Sequence, residues 1–331
     1  MNIQFYFELR ELPLRYEWKL SRNSYSSKIN GFVTAQCNGF EGHGEAAPNT
    51  RYEETPASLQ LEFDQIKEKL NAPFEHNIWH SFLDGLKICS ALKMALDMAF
   101  QNLLAHISGK TLADYLGFQP IRSRSICYTI PVMEPDRISE FIEKENLSRF
   151  SWLKIKVNQE LALPIVNEVL KLFQGPIAID GNEAWTEKEL VFDFIHKLPK
   201  DRILFLEQPF PSALRAHYEW LAEKSPIEIW GDESILNVAE PEYWKVAFKG
   251  INVKLMKTGT IANAIHLLKV ARTIGLKTMI GCMVETSLGI SAALSLESLA
   301  DYMDLDGFLL LENEPFGLVK EKNGMVELSL K

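Results

Sequence analysis

The sequence predicts an α/β protein: a barrel of eight strands and seven helices, preceded by a smaller α+β unit. Three observations predict it. From about Ser125 onward, short apolar runs recur near Ile126, Leu153, Ile177, Leu204, Ile227, Val253, Met279 and Leu305. Amphipathic stretches separate them at 134–147, 159–174, 186–198, 211–224, 236–248, 260–274 and 287–300, a period of roughly 25 residues. Several of the runs end in a charged residue, and the C-terminal ends of strands are where such barrels build active sites. An open doubly wound sheet is the competing architecture. It calls for a glycine-rich phosphate loop after an early strand, and the sequence has none.

Taken in order, residues 1–50 read as antiparallel strands. Ile3–Arg10 alternates, Ile29–Cys37 is strand-like, and Asn38-Gly39 is a turn signal. Gly42-His43-Gly44-Glu45-Ala46-Ala47-Pro48 is expected to break the strand pattern. Residues 53–116 turn helical, with Thr55-Pro56 as a helix start and Leu92–Ile107 as a long apolar-rich helix. We expect domains at 1–120, 121–311 and 312–331. The last contains Asn323-Gly324 between two short β-like runs and is expected to return onto the N-terminal unit.

The 331 residues carry a formal net charge of −9, which argues against nucleic acid as a partner. No apolar run reaches the roughly 18 residues of a membrane span, and no signal peptide is evident at Met1-Asn2-Ile3-Gln4. Four scattered cysteines without a CxxC pair suit a cytoplasmic protein with reduced thiols.

The chemistry concentrates in residues 152–232. Strand side chains alternate between faces. Lys154 and Lys156 therefore share one face of Trp152–Val157. Asp180, Glu207 and Asp232 end three successive strands with matching parity. Buried charges must be paired or bind a metal. One such acid alone would read as a helix cap, whereas three hard oxygen donors without His or Cys suit Mg2+. In Asn252-Val253-Lys254-Leu255-Met256-Lys257, parity points Asn252, Lys254 and Met256 inward and leaves Lys257 nearer the loop. Lys156 and Lys254 would then face each other across the barrel. A cation on a carboxylate, with an amine on each side of the adjacent carbon, suits removal of an α-proton and its return to the opposite face. Asp304 and Asp306 share a face at the same mouth and suit an ammonium group, although a lone DxD more often caps a turn. Thr129 points inward on the first barrel strand. It is a hydrogen-bonding candidate or simply a good β-former. Glu285 reads as either part of the polar network or a cap.

These motifs together resemble the enolase superfamily, its muconate-lactonising subgroup, and within that the dipeptide epimerases. The matching segments are Lys154-Ile155-Lys156, Asp180-Gly181-Asn182, Glu207-Gln208-Pro209, Asp232-Glu233-Ser234, Asn252-Val253-Lys254, Gly281-Cys282-Met283 and Asp304-Leu305-Asp306-Gly307. The resemblance covers nearly the whole chain. It implies a modified TIM barrel, (β/α)7β, with an N-terminal α+β capping domain. It implies one Mg2+ per subunit on Asp180, Glu207 and Asp232, and acid/base catalysis by Lys156 and Lys254, supported by Lys154 and Asn182. It further implies a dipeptide substrate whose ammonium meets Asp304 and Asp306, with Thr129, Cys282, Met283 and Arg22 around it. Arg22 falls near where Ala-Glu epimerases place an arginine for the glutamyl side chain. Lys257-Thr258-Gly259-Thr260 departs from the Cys-Gly-Gly-type turn of many relatives.

The expected reaction is Mg2+-dependent epimerisation of an N-terminal alanine dipeptide at its second residue, in cell-wall peptide metabolism. The expected partners are that small molecule and further copies of the chain, with neither nucleic acid nor membrane. The alternatives are an o-succinylbenzoate synthase, an N-acylamino-acid racemase, or a barrel that binds a ligand without catalysis.

Overall fold

A computed structural model describes residues 2–19, 24–71, 78–119 and 123–329. The chain begins with an antiparallel sheet of β1 (Gln4–Lys19), β2 (Ser24–Cys37) and β3 (Phe40–Ala46), in that order. Asn38 (φ 51°) and Gly39 (φ 82°) both take the left-handed conformation between β2 and β3. That is the two-residue turn the Asn-Gly pair favours.

The break expected at Gly42–Pro48 does not occur before Ala46, because β3 runs through both glycines. Their role is close approach. The helix Ser90–Ile107 lies directly on β3, and a Cβ on Gly44 would sit 2.0 Å from Ala95 O. A Cβ on Gly42 would sit 2.2 Å from Ala99 O and from Leu103 N. Gly44→Ala should therefore push helix and sheet apart and cost about 2–3 kcal/mol, as overpacking does. Urea denaturation checks this, and an unchanged midpoint would contradict the packing. The helix Pro56–Leu70 starts as predicted: Thr55 Oγ1 accepts from Ser58 N–H (3.0 Å), and Ser58 Oγ accepts from Thr55 N–H (2.9 Å).

After the short strand β4 (Arg124–Ser125) comes the barrel. Its strands are β5 (Tyr128–Ile130), β6 (Leu153–Lys156), β7 (Ile177–Asp180), β8 (Ile203–Glu207), β9 (Ile229–Gly231), β10 (Gly250–Lys254), β11 (Lys277–Gly281) and β12 (Tyr302–Asp304). They pair in parallel in chain order from β5 to β12. Cys127 N–H donates to Met303 O (3.2 Å), which joins the last strand to the residues entering the first. Helices follow the first seven strands, from Ile138–Lys144 to Ser287–Leu294. The eighth strand leads instead into the short 3-10 turn Gly307–Leu310.

Side-chain alternation stacks two layers inside the barrel. Trp152, Ala178, Phe205, Trp230 and Met279 form a buried floor with Cys127 and the partly buried Tyr302. The Phe205 and Trp230 rings stack at 4.2 Å. Two residues further along the same strands stand Lys154, Asp180, Glu207, Asp232 and Asp304. The polar layer thus rests on a buried, largely aromatic floor, where charge–charge interactions are stronger than in water.

The C-terminal return divides its contacts. Leu311 bridges Leu14, and Glu312 N–H donates to Pro13 O (2.9 Å), so this part lies against the N-terminal sheet. The hairpin of β13 (Val319–Lys322) and β14 (Met325–Leu328) pairs instead with β4, the lead-in to the barrel.

Two buried carboxylates of the N-terminal unit each seat on the start of a barrel helix. Asp97 Oδ2 accepts from Ile261 N–H (2.8 Å), and Glu45 Oε2 accepts from Gly289 N–H (3.0 Å). An anion at a helix N-terminus is favourable, so these contacts help to dock the two units. Among the described residues no helix is long and apolar enough to cross a membrane.

Candidate active site

Lys154, Lys156 and Lys254 are each held by their strand and by an acid of opposite sign. Lys154 Nζ lies 3.1 Å from Asp180 Oδ2, 2.8 Å from Glu207 Oε2 and 2.8 Å from Asp304 Oδ2. Lys156 Nζ donates to Asp180 Oδ2 and to Asn182 Oδ1, both at 2.8 Å. Lys254 Nζ donates to Asp232 Oδ2 at 2.9 Å. Asn252 Nδ2 donates to Glu207 Oε1 at 2.8 Å.

Burial separates the three lysines. Lys154 is 1% exposed, whereas Lys156 is 9% and Lys254 8% exposed. Lys154 sits within the acid cluster, and the other two reach further toward the cavity above it. That cavity is walled by Thr129, Lys156, Lys254, Cys282, Met283 and Asp306 from the barrel, and by Tyr25, Asn49, Arg51 and Tyr52 from the N-terminal unit.

The electrostatics follow from burial and neighbours. Burial pushes the Asp180 carboxyl up, but Lys154 and Lys156 outweigh it and hold the pKa at about 2. Burial acts on Asp232 in the same way, and Lys254 and Lys257 hold it far below the carboxylate range. Glu207 is the exception. Burial dominates there, only Lys154 opposes it strongly, and the pKa rises to about 7. Its Oε2 is also a buried oxygen without a hydrogen-bond partner, since Lys154 is near enough for an ion pair but lies off the hydrogen-bond direction.

An incompletely compensated carboxylate beside two others fits a divalent cation. Among the described residues no three acidic, histidine or cysteine side chains stand as a ready-made ion cage. Lysine ammoniums are interposed between the acids instead.

The structure revises several sequence-based expectations. The strand β10 ends at Lys254, and Leu255–Thr258 turns into one helical turn, so strand parity no longer governs Met256. Met256 Sδ instead accepts from Ala47 N–H (3.4 Å). The same turn brings Lys257 off the loop and onto Asp232, with Nζ 2.6 Å from Oδ1 and 2.5 Å from the carbonyl oxygen. The spacing Lys254–Lys257 is i,i+3, which signals a shared helical face once the strand is ended at Lys254.

Asp304 lies deeper than expected. Its Oδ1 accepts from Cys127 Sγ (3.3 Å), and its Oδ2 accepts from Lys154 (2.8 Å) and Asn252 (3.4 Å). Asp306 accepts from Thr129 N–H at 2.5 Å. Glu285 Oε1 accepts from Met283 N–H (2.7 Å) and so shapes the loop that carries Cys282 and Met283. Arg22 lies outside the described residues. The resemblance assigns residues 21–28 and 48–54 to specificity loops of the capping domain but does not single out Arg51, whose guanidinium makes a two-pronged pair with Glu183 at 2.8 and 2.9 Å and ties the cavity's outer loop to the barrel.

The family model described as enolase C-terminal domain-like matches residues 137–327. The chain belongs to the enolase superfamily. Within it, the chain is 30% identical over 321 residues to an L-Ala-D/L-Glu epimerase of Bacteroides thetaiotaomicron, covering 96% of this chain and 84% of that one. It is 32% identical over 348 residues to an L-Ala-D/L-amino acid epimerase of Pedosphaera parvula, covering 99% and 96%. The crystal structure of a dipeptide epimerase from Cytophaga hutchinsonii, complexed with Mg and the dipeptide D-Ala-L-Val, has the same fold. The match has a TM-score of 0.91 at 23% identity, over 99% of this chain and 94% of that one. The superfamily member described here is thus an isomerase of the dipeptide epimerase group.

Proposed function

We propose that the enzyme epimerises a dipeptide with N-terminal alanine at the α-carbon of its second residue. Strand order is the observation that carries this reading. In a barrel running from β5 to β12, β6 and β10 are diametrically opposed. Lys156 and Lys254 therefore approach the cavity from opposite sides. The arc between them on one side holds Asp180, Glu207 and Asp232, on β7, on β8 and just after β9. The other arc holds Cys282 and Met283 after β11, Asp304 and Asp306 at the end of β12, and Thr129 on β5.

A dipeptide fits across these arcs with its carboxylate toward the three acids and its ammonium toward Asp306. Asp304 acts mainly by balancing Lys154. The α-carbon of the second residue then lies between the two lysines. Asp180, Glu207 and Asp232 would hold Mg2+, which would supply electrophilic stabilisation to the substrate carboxylate. One lysine, in its neutral form, takes that proton, and the other, as the ammonium, delivers one to the opposite face. Asp180 and Asp232 are ion-paired with Lys156 and Lys254. The Asp232 charge raises the Lys254 pKa against the opposing effect of burial, and a cation on Asp232 would weaken that pull. Lys154 and Asn182 keep Asp180 and Lys156 in position.

In the same reading, residues 1–120 cap the substrate, 121–311 perform the chemistry, and 312–331 tie the two together. All four cysteines are free, in keeping with a cytoplasmic setting.

Incubation with L-Ala dipeptides in deuterium oxide tests the proposal. Deuterium should enter the second α-carbon as the two diastereomers interconvert. Exchange without interconversion would remove the two-lysine mechanism. Asp306→Asn should raise KM for a dipeptide by about 10-fold or more, since it removes a charged partner of the ammonium. An N-acylated amino acid lacks that ammonium and should be insensitive to the change. Equal sensitivity would favour the N-acylamino-acid racemase reading.

A further inference from the structure

The catalytic lysines stand on barrel strands, but one wall of the cavity is a loop. Cys282, Met283 and Val284 line the cavity within the stretch between β11 and the helix Ser287–Leu294. Besides Glu285 within the loop and Glu314 at Ser287, much of what fixes this loop comes from the N-terminal sheet. Glu45 is fully buried on β3, and no ion pair holds it among the described residues. Its carboxylate accepts from Thr286 N–H (3.0 Å), Thr286 Oγ1 (2.6 Å), Gly289 N–H (3.0 Å) and Asn30 Nδ2 (2.8 Å). The same Asn30 Nδ2 also donates to the carbonyl oxygen of Val284 at 3.0 Å. One carboxylate and one amide from the sheet thus clamp the loop at Val284, at Thr286 and at the first turn of the following helix.

The space around the clamp is shaped for it. A Cβ on Gly289 would lie 2.3 Å from Glu285 Oε2 and 3.1 Å from Glu45 Oε2, so only glycine admits both carboxylates. Glu285 in turn accepts from Met283 N–H. Asn49, also from the N-terminal unit, approaches Met283 Sδ with its amide nitrogen at 3.6 Å. Among the described residues, Glu45 and Asn30 make no hydrogen bond to the lysines or the three acids, whereas Glu285 lies close enough to Lys254 to feel its charge.

We propose that Glu45 and Asn30 are positioning residues for the dipeptide. They fix the Cys282–Val284 wall and so set substrate affinity, while proton transfer is left to the barrel strands. The inference rests on the epimerase reading and adds to it that the N-terminal sheet sets affinity through a barrel loop rather than only by covering the substrate. A carboxylate surrounded by four donors cannot be replaced by an amide without turning an N–H toward an N–H. Glu45→Gln should therefore loosen the wall even though shape is kept.

The test compares Glu45→Gln, Thr286→Val and Thr286→Ser with the unsubstituted enzyme. Initial rates of deuterium exchange are measured with L-Ala-L-Glu or, if that is not turned over, the L-Ala dipeptide that exchanges fastest. Val191→Ala, on the helix Lys188–His196, serves as a control for simple loss of stability. Glu45→Gln and Thr286→Val should each raise KM by about 10-fold with kcat within about 3-fold, the signature of lost substrate binding. Thr286→Ser keeps the hydroxyl and should restore KM to near the unsubstituted value. Val191→Ala should lower the melting temperature without moving KM. An unchanged KM in Glu45→Gln and Thr286→Val, or a kcat that falls as steeply as kcat/KM, would overturn the inference and leave the epimerase reading standing. Failure of the unsubstituted enzyme to exchange any L-Ala dipeptide would overturn both.

Discussion

Lys156→Ala and Lys254→Ala are each expected to lower epimerisation by about 10^3-fold or more, the range for loss of a positioned acid or base. Neither should abolish every proton exchange. The remaining lysine still faces one side of the α-carbon and can take and return a proton there. Each variant should therefore wash deuterium into one diastereomer only, and the two variants should choose opposite ones. The double variant should exchange neither. The single variants should fold, because their partners keep other cations. Asp180 retains Lys154 at 3.1 Å when Lys156 is removed, and Asp232 retains Lys257 at 2.6 Å when Lys254 is removed. NMR of each diastereomer in deuterium oxide reads the result directly. If both variants exchanged the same diastereomer, the lysines would share a side and the inversion mechanism would be lost.

Stripping divalent metal is expected to have an effect of the same order, but a reversible one. A chelator should remove activity, and added Mg2+ should restore it. Metal that binds only the folded chain should also stabilise it, by about 2.7 kcal/mol at 100 times its Kd. Asp232→Asn removes a proposed metal ligand and a charge-balancing acid at once. Asp232 is the buried partner of both Lys254 and Lys257. An asparagine there leaves two buried ammoniums without their acid, at a cost of about 3–5 kcal/mol. Its activity should not return at any Mg2+ concentration. Calorimetric titration with Mg2+ should show no binding to this variant and one site per chain in the unsubstituted enzyme. Full activity after exhaustive chelation would contradict the metal reading.

Both expectations depend on the same fact of topology, and part of that fact is legible in the amino-acid order. Alternation along the strands places Asp180, Glu207, Asp232 and Lys154 on one face without knowledge of any partner. The number and order of apolar runs puts β6 opposite β10. The Asn38-Gly39 turn and the Thr55 cap are equally local and equally readable. Other features are not. Gly42 and Gly44 look like strand breakers in sequence because their purpose is a helix that arrives some fifty residues later (Ala95, Ala99). Lys257 reads as a loop residue because nothing in Lys254–Lys257 announces where the strand gives way to a helical turn.

By itself, then, the sequence determined which residue types share a face and in what order the strands carry them. Backbone periodicity is a local property and survives without context. Only the tertiary structure decided which of those charges neutralise one another. It buried Lys154 among three acids, drew Asp304 down to meet it, set Lys257 on Asp232, and brought Glu45 from the N-terminal sheet to the start of a barrel helix. Such pairings join residues as many as 244 positions apart. They are chosen by the free energy of burying charge, which no short stretch of sequence contains.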